Sequence, residues 1–232
     1  MTGIVLIPGH LCDARLYAPQ RPLLESRAPV ALADTRSDDR VSAMAERMLS
    51  EHEGPLALVG LSMGGMIAME ALRLAPERIL GAALLDTNPY APREPELRWR
   101  VKAVADARAQ GLGAYLDVFM ANFWAHAPER TADLATEVAG MMGAIPFDVF
   151  ERQAAALSAR QTMTEAVAAY LGPLAVIWGA EDRLTPPKVH QEIAAVPTAV
   201  ATEIPDCGHL ATLEAPEAVN AALVDWLDRT GL

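Results

Sequence analysis

Apolar positions along the chain come in two kinds of run. Ile4 to Ile7 is apolar throughout and stops at Pro8-Gly9, the pattern of a strand buried on both faces. Val30 to Ala33 is a shorter run of the same kind, closed by the polar cluster Asp34 to Arg40. Val41, Met44, Ala45, Met48 and Leu49 then recur at helical spacing, which predicts an amphipathic helix lying on one face of a sheet. Gly54-Pro55 ends it, and Leu56 to Leu61 forms the next strand. Met66 to Leu74 continues as helix until Pro76, and Ile79 to Leu85 is again apolar on both faces. Strand and helix in repeated order predict an α/β fold with a parallel sheet and right-handed crossovers.

The rhythm changes from about Asn88 to Tyr170, where only helical periodicity remains. Leu97, Val101, Val104 and Arg108 mark one helix, and Tyr115, Leu116, Phe119, Met120 and Phe123 a second. Two more run from Thr131 to Met142 and from Pro146 to Ala159. Sheet character resumes with Leu174 to Gly179. Prolines 186 and 187 open a helix, Thr198 to Ile204 is the last strand, and a final helix begins around Pro216. The expected organisation is a sheet core from residues 1–87 and 171–232, with residues 88–170 inserted as a helical cap over the sheet edge. The other reading of that insertion is a helical layer packed for stability alone.

Composition narrows the class. A chain of 232 residues with 52% apolar content suits one domain with a large core. The formal charge of −11 argues against nucleic acid or an anionic membrane as partner. No apolar run reaches the about 18 residues that would span a bilayer. The first strand has no basic region before it, so it does not read as a signal peptide. Cys12 and Cys207 supply neither a disulfide framework nor a metal motif. The expectation is a cytoplasmic enzyme, monomer or homodimer, acting on a small molecule without metal or cofactor.

The candidate chemistry centres on Gly60-Leu61-Ser62-Met63-Gly64. A serine on a sharp strand-to-helix turn is held in strained backbone geometry, with small residues on either side to avoid clashes. The helix that follows aims its first N–H groups and positive dipole end at the same point. The plain alternative is a βα turn with a serine cap. Asp182 and His209 also fall just past strand ends, where open parallel sheets bind ligands. A hydroxyl needs a base to become a nucleophile, histidine supplies one near neutral pH, and a carboxylate fixes its tautomer. Asp86, after the Ile79 strand, is a second candidate acid.

Four motifs carry a resemblance that runs from Ile4 to about Leu227: the strand-Pro-Gly-His loop, Gly-Leu-Ser-Met-Gly-Gly, Trp-Gly-Ala-Glu-Asp-Arg-Leu-Thr-Pro, and Cys-Gly-His-Leu with Leu213-Glu214-Ala215-Pro216-Glu217. Together they resemble the α/β-hydrolase superfamily, and within it small capped carboxylesterases such as pimeloyl carrier-protein methyl ester esterases, and enol-lactone hydrolases. The resemblance implies Ser62 as nucleophile, His209 as base and Asp182 as acid partner, with an oxyanion hole from the Met63 N–H and that of His10, or of Leu11. Two departures stand out. Many relatives have His-Gly where this chain has Pro8-Gly9, and the two antiparallel strands that usually precede this loop are absent, implying a trimmed sheet of about six strands.

An ester of a small to medium acyl group is the expected substrate. Leu11, Tyr90, Phe119, Phe123 and Trp124 are the candidate pocket residues, and Arg93, Arg98 and Arg100 are candidates to hold a substrate carboxylate or else a solvated helix face. Cys12 and Cys207 lie in loops at the same edge, as small inert residues or as neighbours of one another. The same three residues also serve C–C bond hydrolases, thioesterases, lactonases and cofactor-free perhydrolases, and the fold also serves as a non-catalytic ligand receptor.

Overall fold

The computed structural model describes residues 3–125 and 128–232. Its sheet has six strands, all parallel: β1 Gly3–Ile7, β2 Val30–Leu32, β3 Leu56–Leu61, β4 Ile79–Leu85, β5 Leu174–Gly179 and β6 Ala199–Ile204. Their spatial order is β2-β1-β3-β4-β5-β6. The chain therefore steps from β1 to one side, returns past it to β3, and continues outward. That reversal leaves a crevice between the C-terminal ends of β1 and β3, because the connections from these two strands leave in opposite directions.

Alternation within the strands decides which helices cover which face. Ile4 and Leu6 of β1, with Ala57, Val59 and Leu61 of β3, face a core completed by Leu16, Leu24, Leu223 and Trp226. Val5 and Ile7, with Leu56 and Leu58, face the opposite core, filled by Met44, Met48, Ile67 and Val167. Both faces are dry, which is why these strands read as continuous apolar runs.

Helices α1 Arg21–Glu25, α2 Val41–Glu51 and α3 Met63–Leu74 occupy the first half of the chain. Between β4 and β5 lie α4 Glu94–Gln110, α5 Leu112–Met120, α6 Pro128–Gly143, α7 Phe147–Ala159 and α8 Thr164–Ala169. The last three are α9 Pro187–Ala194, α10 Ala211–Glu214 and α11 Pro216–Thr230. No helix among the described residues is long and apolar enough to cross a membrane.

Most elements lie where periodicity puts them, with α3 starting directly after the serine as the turn requires; α1 and α10 carry no periodic signal in the sequence. Helix α5 stops at Met120, before Phe123, because the Phe123 carbonyl is drawn to the His209 N–H at 2.7 Å. Helix α8 has only six residues, too few to declare a period in the sequence.

Candidate active site

Ser62 joins β3 to α3 with φ 56° and ψ −115°, a region that a side chain occupies only under strain of about 1–3 kcal/mol. Its surroundings over-determine that conformation. The Ser62 N–H donates to the Leu85 carbonyl at 2.9 Å, and the Ser62 carbonyl accepts from Thr87 Oγ1 at 2.7 Å and from the Met66 N–H at 3.2 Å. A Cβ on Gly64 would sit 1.8 Å from the Ile7 carbonyl oxygen, so only glycine lets α3 start this close to β1. The hydroxyl thus stands at the crevice where strand order reverses.

His209 reaches that hydroxyl from the loop after β6, with Nε2 3.1 Å from Ser62 Oγ. Its Nδ1 lies 2.9 Å from Asp182 Oδ2. Asp182 sits in a dense set of donors: the N–H groups of Leu184 and Thr185 at 2.8 and 3.0 Å to Oδ1, and Thr185 Oγ1 at 2.5 Å to Oδ2. Burial pushes the Asp182 carboxyl up, but the facing imidazole and these donors outweigh it and hold the group below its ordinary value. The histidine loop is clamped too. The Glu214 carboxylate accepts from the N–H groups of Gly208, Leu210 and Ala125 at 3.2–3.3 Å, and a Cβ on Gly208 would lie 1.9 Å from the Phe123 carbonyl oxygen.

Asp86 is not within this set. Its carboxyl accepts from the Gly179 N–H and the Ala211 N–H, each at 3.0 Å, tying the end of β5 to the start of α10. Both oxygens face backbone, and none of its hydrogen bonds goes to His209. The alternative acid is thus corrected by direction: the side chain bridges two chain segments beneath the histidine.

The loop after β1 is held by a residue that sequence alone did not single out. Gln153 Oε1 accepts from the Leu11 N–H at 2.9 Å and from His10 Nδ1 at 3.1 Å, while Gln153 Nε2 donates to the Thr35 carbonyl at 3.0 Å. That order of donors makes Nδ1 the protonated nitrogen of His10, so its Nε2 accepts from the Tyr115 hydroxyl at 3.2 Å. Burial, and then the charge of Arg100, lower His10 to about 3, so its ring stays neutral. With the Leu11 N–H committed, Leu11 is corrected as an oxyanion donor. Among the described residues, no protein group accepts from the N–H of His10 or of Met63.

A cavity of about 390 Å³ opens on Ser62 and His209. Phe119 lines it, together with Trp99 and Arg100 of α4, Val118 of α5, Leu157 of α7, and Asn88, Glu96, Arg160 and Arg183. The other pocket candidates need correction. Leu11 is fully buried in the core, and Phe123 is buried with its ring packed 5.7 Å from that of His209. Trp124 packs on Phe123, and the Tyr90 hydroxyl turns away to pair with Glu192 of α9. Of the three candidate arginines, Arg93 is exposed at the start of α4 and Arg98 pairs with Glu94 in solvent, so that among them Arg100 alone faces the cavity. Arg160 follows α7 without any local signal. Thr185, three residues after an aspartate in a turn, had one, as a side-chain cap of the Asp182 loop. Cys12 and Cys207 are buried and unpaired, and burial raises both thiols, which makes them poor nucleophiles.

Comparison with known proteins identifies the family and the fold. The profile of the Alpha/beta hydrolase family matches residues 4–222. A Mycobacterium tuberculosis protein described as a non-heme bromoperoxidase is 30% identical over 187 residues, 74% of this chain and 68% of its own. The pimeloyl-[acyl-carrier protein] methyl ester esterase of Chromobacterium violaceum is 27% identical over 80% of this chain and 75% of its own. Among solved structures, an esterase from Thermogutta terrifontis superposes with a TM-score of 0.90 at 24% identity, covering 100% of this chain and 91% of that one. The enol-lactonase of Burkholderia xenovorans LB400 gives 0.87 at 20% identity, covering 98% and 91%.

Proposed function

The chain belongs to the alpha/beta hydrolase family, and on that footing we propose that it hydrolyses a carboxylic ester of a small to medium acyl group through an acyl-enzyme on Ser62. The observation that carries this reading is the unbroken run of contacts from Ser62 Oγ to His209 Nε2 and from His209 Nδ1 to Asp182 Oδ2, at the floor of the cavity. Ser62 Oγ attacks the carbonyl carbon while His209 takes its proton. Asp182 keeps the Nδ1 proton in place and balances the imidazolium. The developing oxyanion is met by the Met63 and His10 N–H groups, each worth about 3 kcal/mol in such a role. His209 then protonates the leaving alcohol, and water repeats the sequence on the acyl-enzyme.

Residues 88–170 act in this reading as the cap: α4 and α5 supply Trp99, Arg100, Val118 and Phe119 to the cavity wall. A second reading, peracid formation with hydrogen peroxide replacing water at the acyl-enzyme, is favoured by the relative described as a bromoperoxidase. The test of the first is release of p-nitrophenol from acetate, butyrate and octanoate esters. Ser62→Ala should lower kcat by about a million-fold with an unchanged circular dichroism spectrum; wild-type rates in that variant would refute the assignment. Acetate- and peroxide-dependent bromide oxidation, lost in the same variant, would mark the second.

A further inference from the structure

The cavity carries more charge than ester hydrolysis needs. In a chain of net charge −11, its wall presents three arginines, Arg100, Arg160 and Arg183, against the single carboxylate of Glu96. Arg160 is committed. It reaches both Glu96 oxygens, through Nη1 at 2.7 Å and Nη2 at 2.9 Å, and donates to the Tyr90 and Leu157 carbonyls at 2.9 and 2.7 Å. That bidentate pairing neutralises Glu96.

Arg100 is left over. It is 9% exposed, gives Glu96 one hydrogen bond through Nη2 at 2.9 Å, and lies over the Trp99 ring at 5.6 Å. Its Nε is buried and, among the described residues, meets no acceptor. Neither Tyr115 Oη nor the His10 ring takes a hydrogen bond from Arg100. A charged guanidinium this deeply set, with one buried nitrogen lacking an acceptor, is costly unless an anion balances its charge. Nη1 makes no hydrogen bond among the described residues and is not buried, so it is the donor that an incoming carboxylate would meet.

We propose that Arg100 is a substrate-binding residue for a second, ionised carboxylate, so that the substrate is an ester bearing a free acid group remote from the bond cleaved. This rests on the ester-hydrolase reading for the chemistry and on Arg100 for the specificity.

Two matched pairs test it: monomethyl adipate against methyl hexanoate, with the acid on the acyl side, and 4-acetoxybutanoate against butyl acetate, with the acid on the alcohol side. In one pair at least, kcat/KM should favour the charged ester by about tenfold or more. Added salt should erode that preference in the wild-type enzyme. Arg100→Met should cut the charged-to-neutral ratio by about ten- to a hundred-fold, chiefly through KM, with Arg100→Lys in between. Glu96 keeps its partner Arg160 in both variants, and circular dichroism checks their fold. Equal rates within both pairs, or equal losses for charged and neutral esters in Arg100→Met, would overturn the proposal. Calorimetric binding of the same four compounds to Ser62→Ala separates the two claims. Charged compounds bound there and lost on adding Arg100→Met support the subsite even if no ester is turned over; no difference between charged and neutral binding refutes it.

Discussion

The ends of β4 and β5 lie side by side, and each carries an aspartate just past its last residue, Asp86 and Asp182. Both are buried, and both stand at the sheet edge where His209 sits. Their environments push them apart. Asp86 meets two backbone N–H groups, and burial, then the charge of Asp182, hold its carboxyl well above the ordinary value. Asp182 suffers the same burial, yet the imidazole and Thr185 bring it below. One edge thus holds a carboxyl that favours its proton beside one that favours its charge. Two carboxylates packed together cannot both ionise cheaply, and the one that faces an imidazole and a hydroxyl donor keeps its charge.

The largest break in that symmetry should come from catalysis. Asp182→Asn should lower kcat by about ten-thousand-fold while the protein stays folded, because the His209 ring loses the group that fixes its tautomer. Asp86→Asn should leave most of kcat and instead cost about 1–3 kcal/mol of stability, read as a lower urea midpoint, since an amide leaves the Gly179 or Ala211 N–H unmatched. A large kcat loss in Asp86→Asn with little in Asp182→Asn would reverse the assignment.

The smallest effect is the most specific. Asp86 binds its proton more tightly folded than unfolded, so its contribution is full below the unfolded value and fades as pH rises through the folded one. Asp182 is the opposite: its contribution is present above the unfolded value and is lost as pH falls through the folded one. The stability cost of Asp86→Asn should therefore shrink between about pH 3 and about pH 7, while that of Asp182→Asn grows. Urea unfolding at the two pH values measures both, and changes of the same sign would dissolve the contrast.

Much of this was legible before any coordinates. The strand–helix alternation, the serine turn with its flanking glycines, and the order Ser62, Asp182, His209 are carried by local chemistry. Each depends on neighbours a few residues away: apolar runs that must be covered, small residues where the backbone crowds, prolines where an N–H is not needed. The pocket candidates fared less well for the same reason. Tyr90, Phe123 and Trp124 are aromatics of the insertion, but residue type does not say which face of a helix or loop looks inward, and here they pack against Glu192, His209 and one another.

What the chain determines by itself is the sheet, the turn that strains Ser62, and the three residues whose chemistry fits together. Tertiary structure decided which aspartate the histidine meets, which loop N–H stays uncommitted, and which of the three candidate arginines faces the cavity. Those choices rest on contacts between residues far apart in sequence, Gln153 with Leu11, Glu96 with Arg160, Phe123 with His209. They follow from how helices pack on a sheet, a long-range outcome that no local pattern encodes.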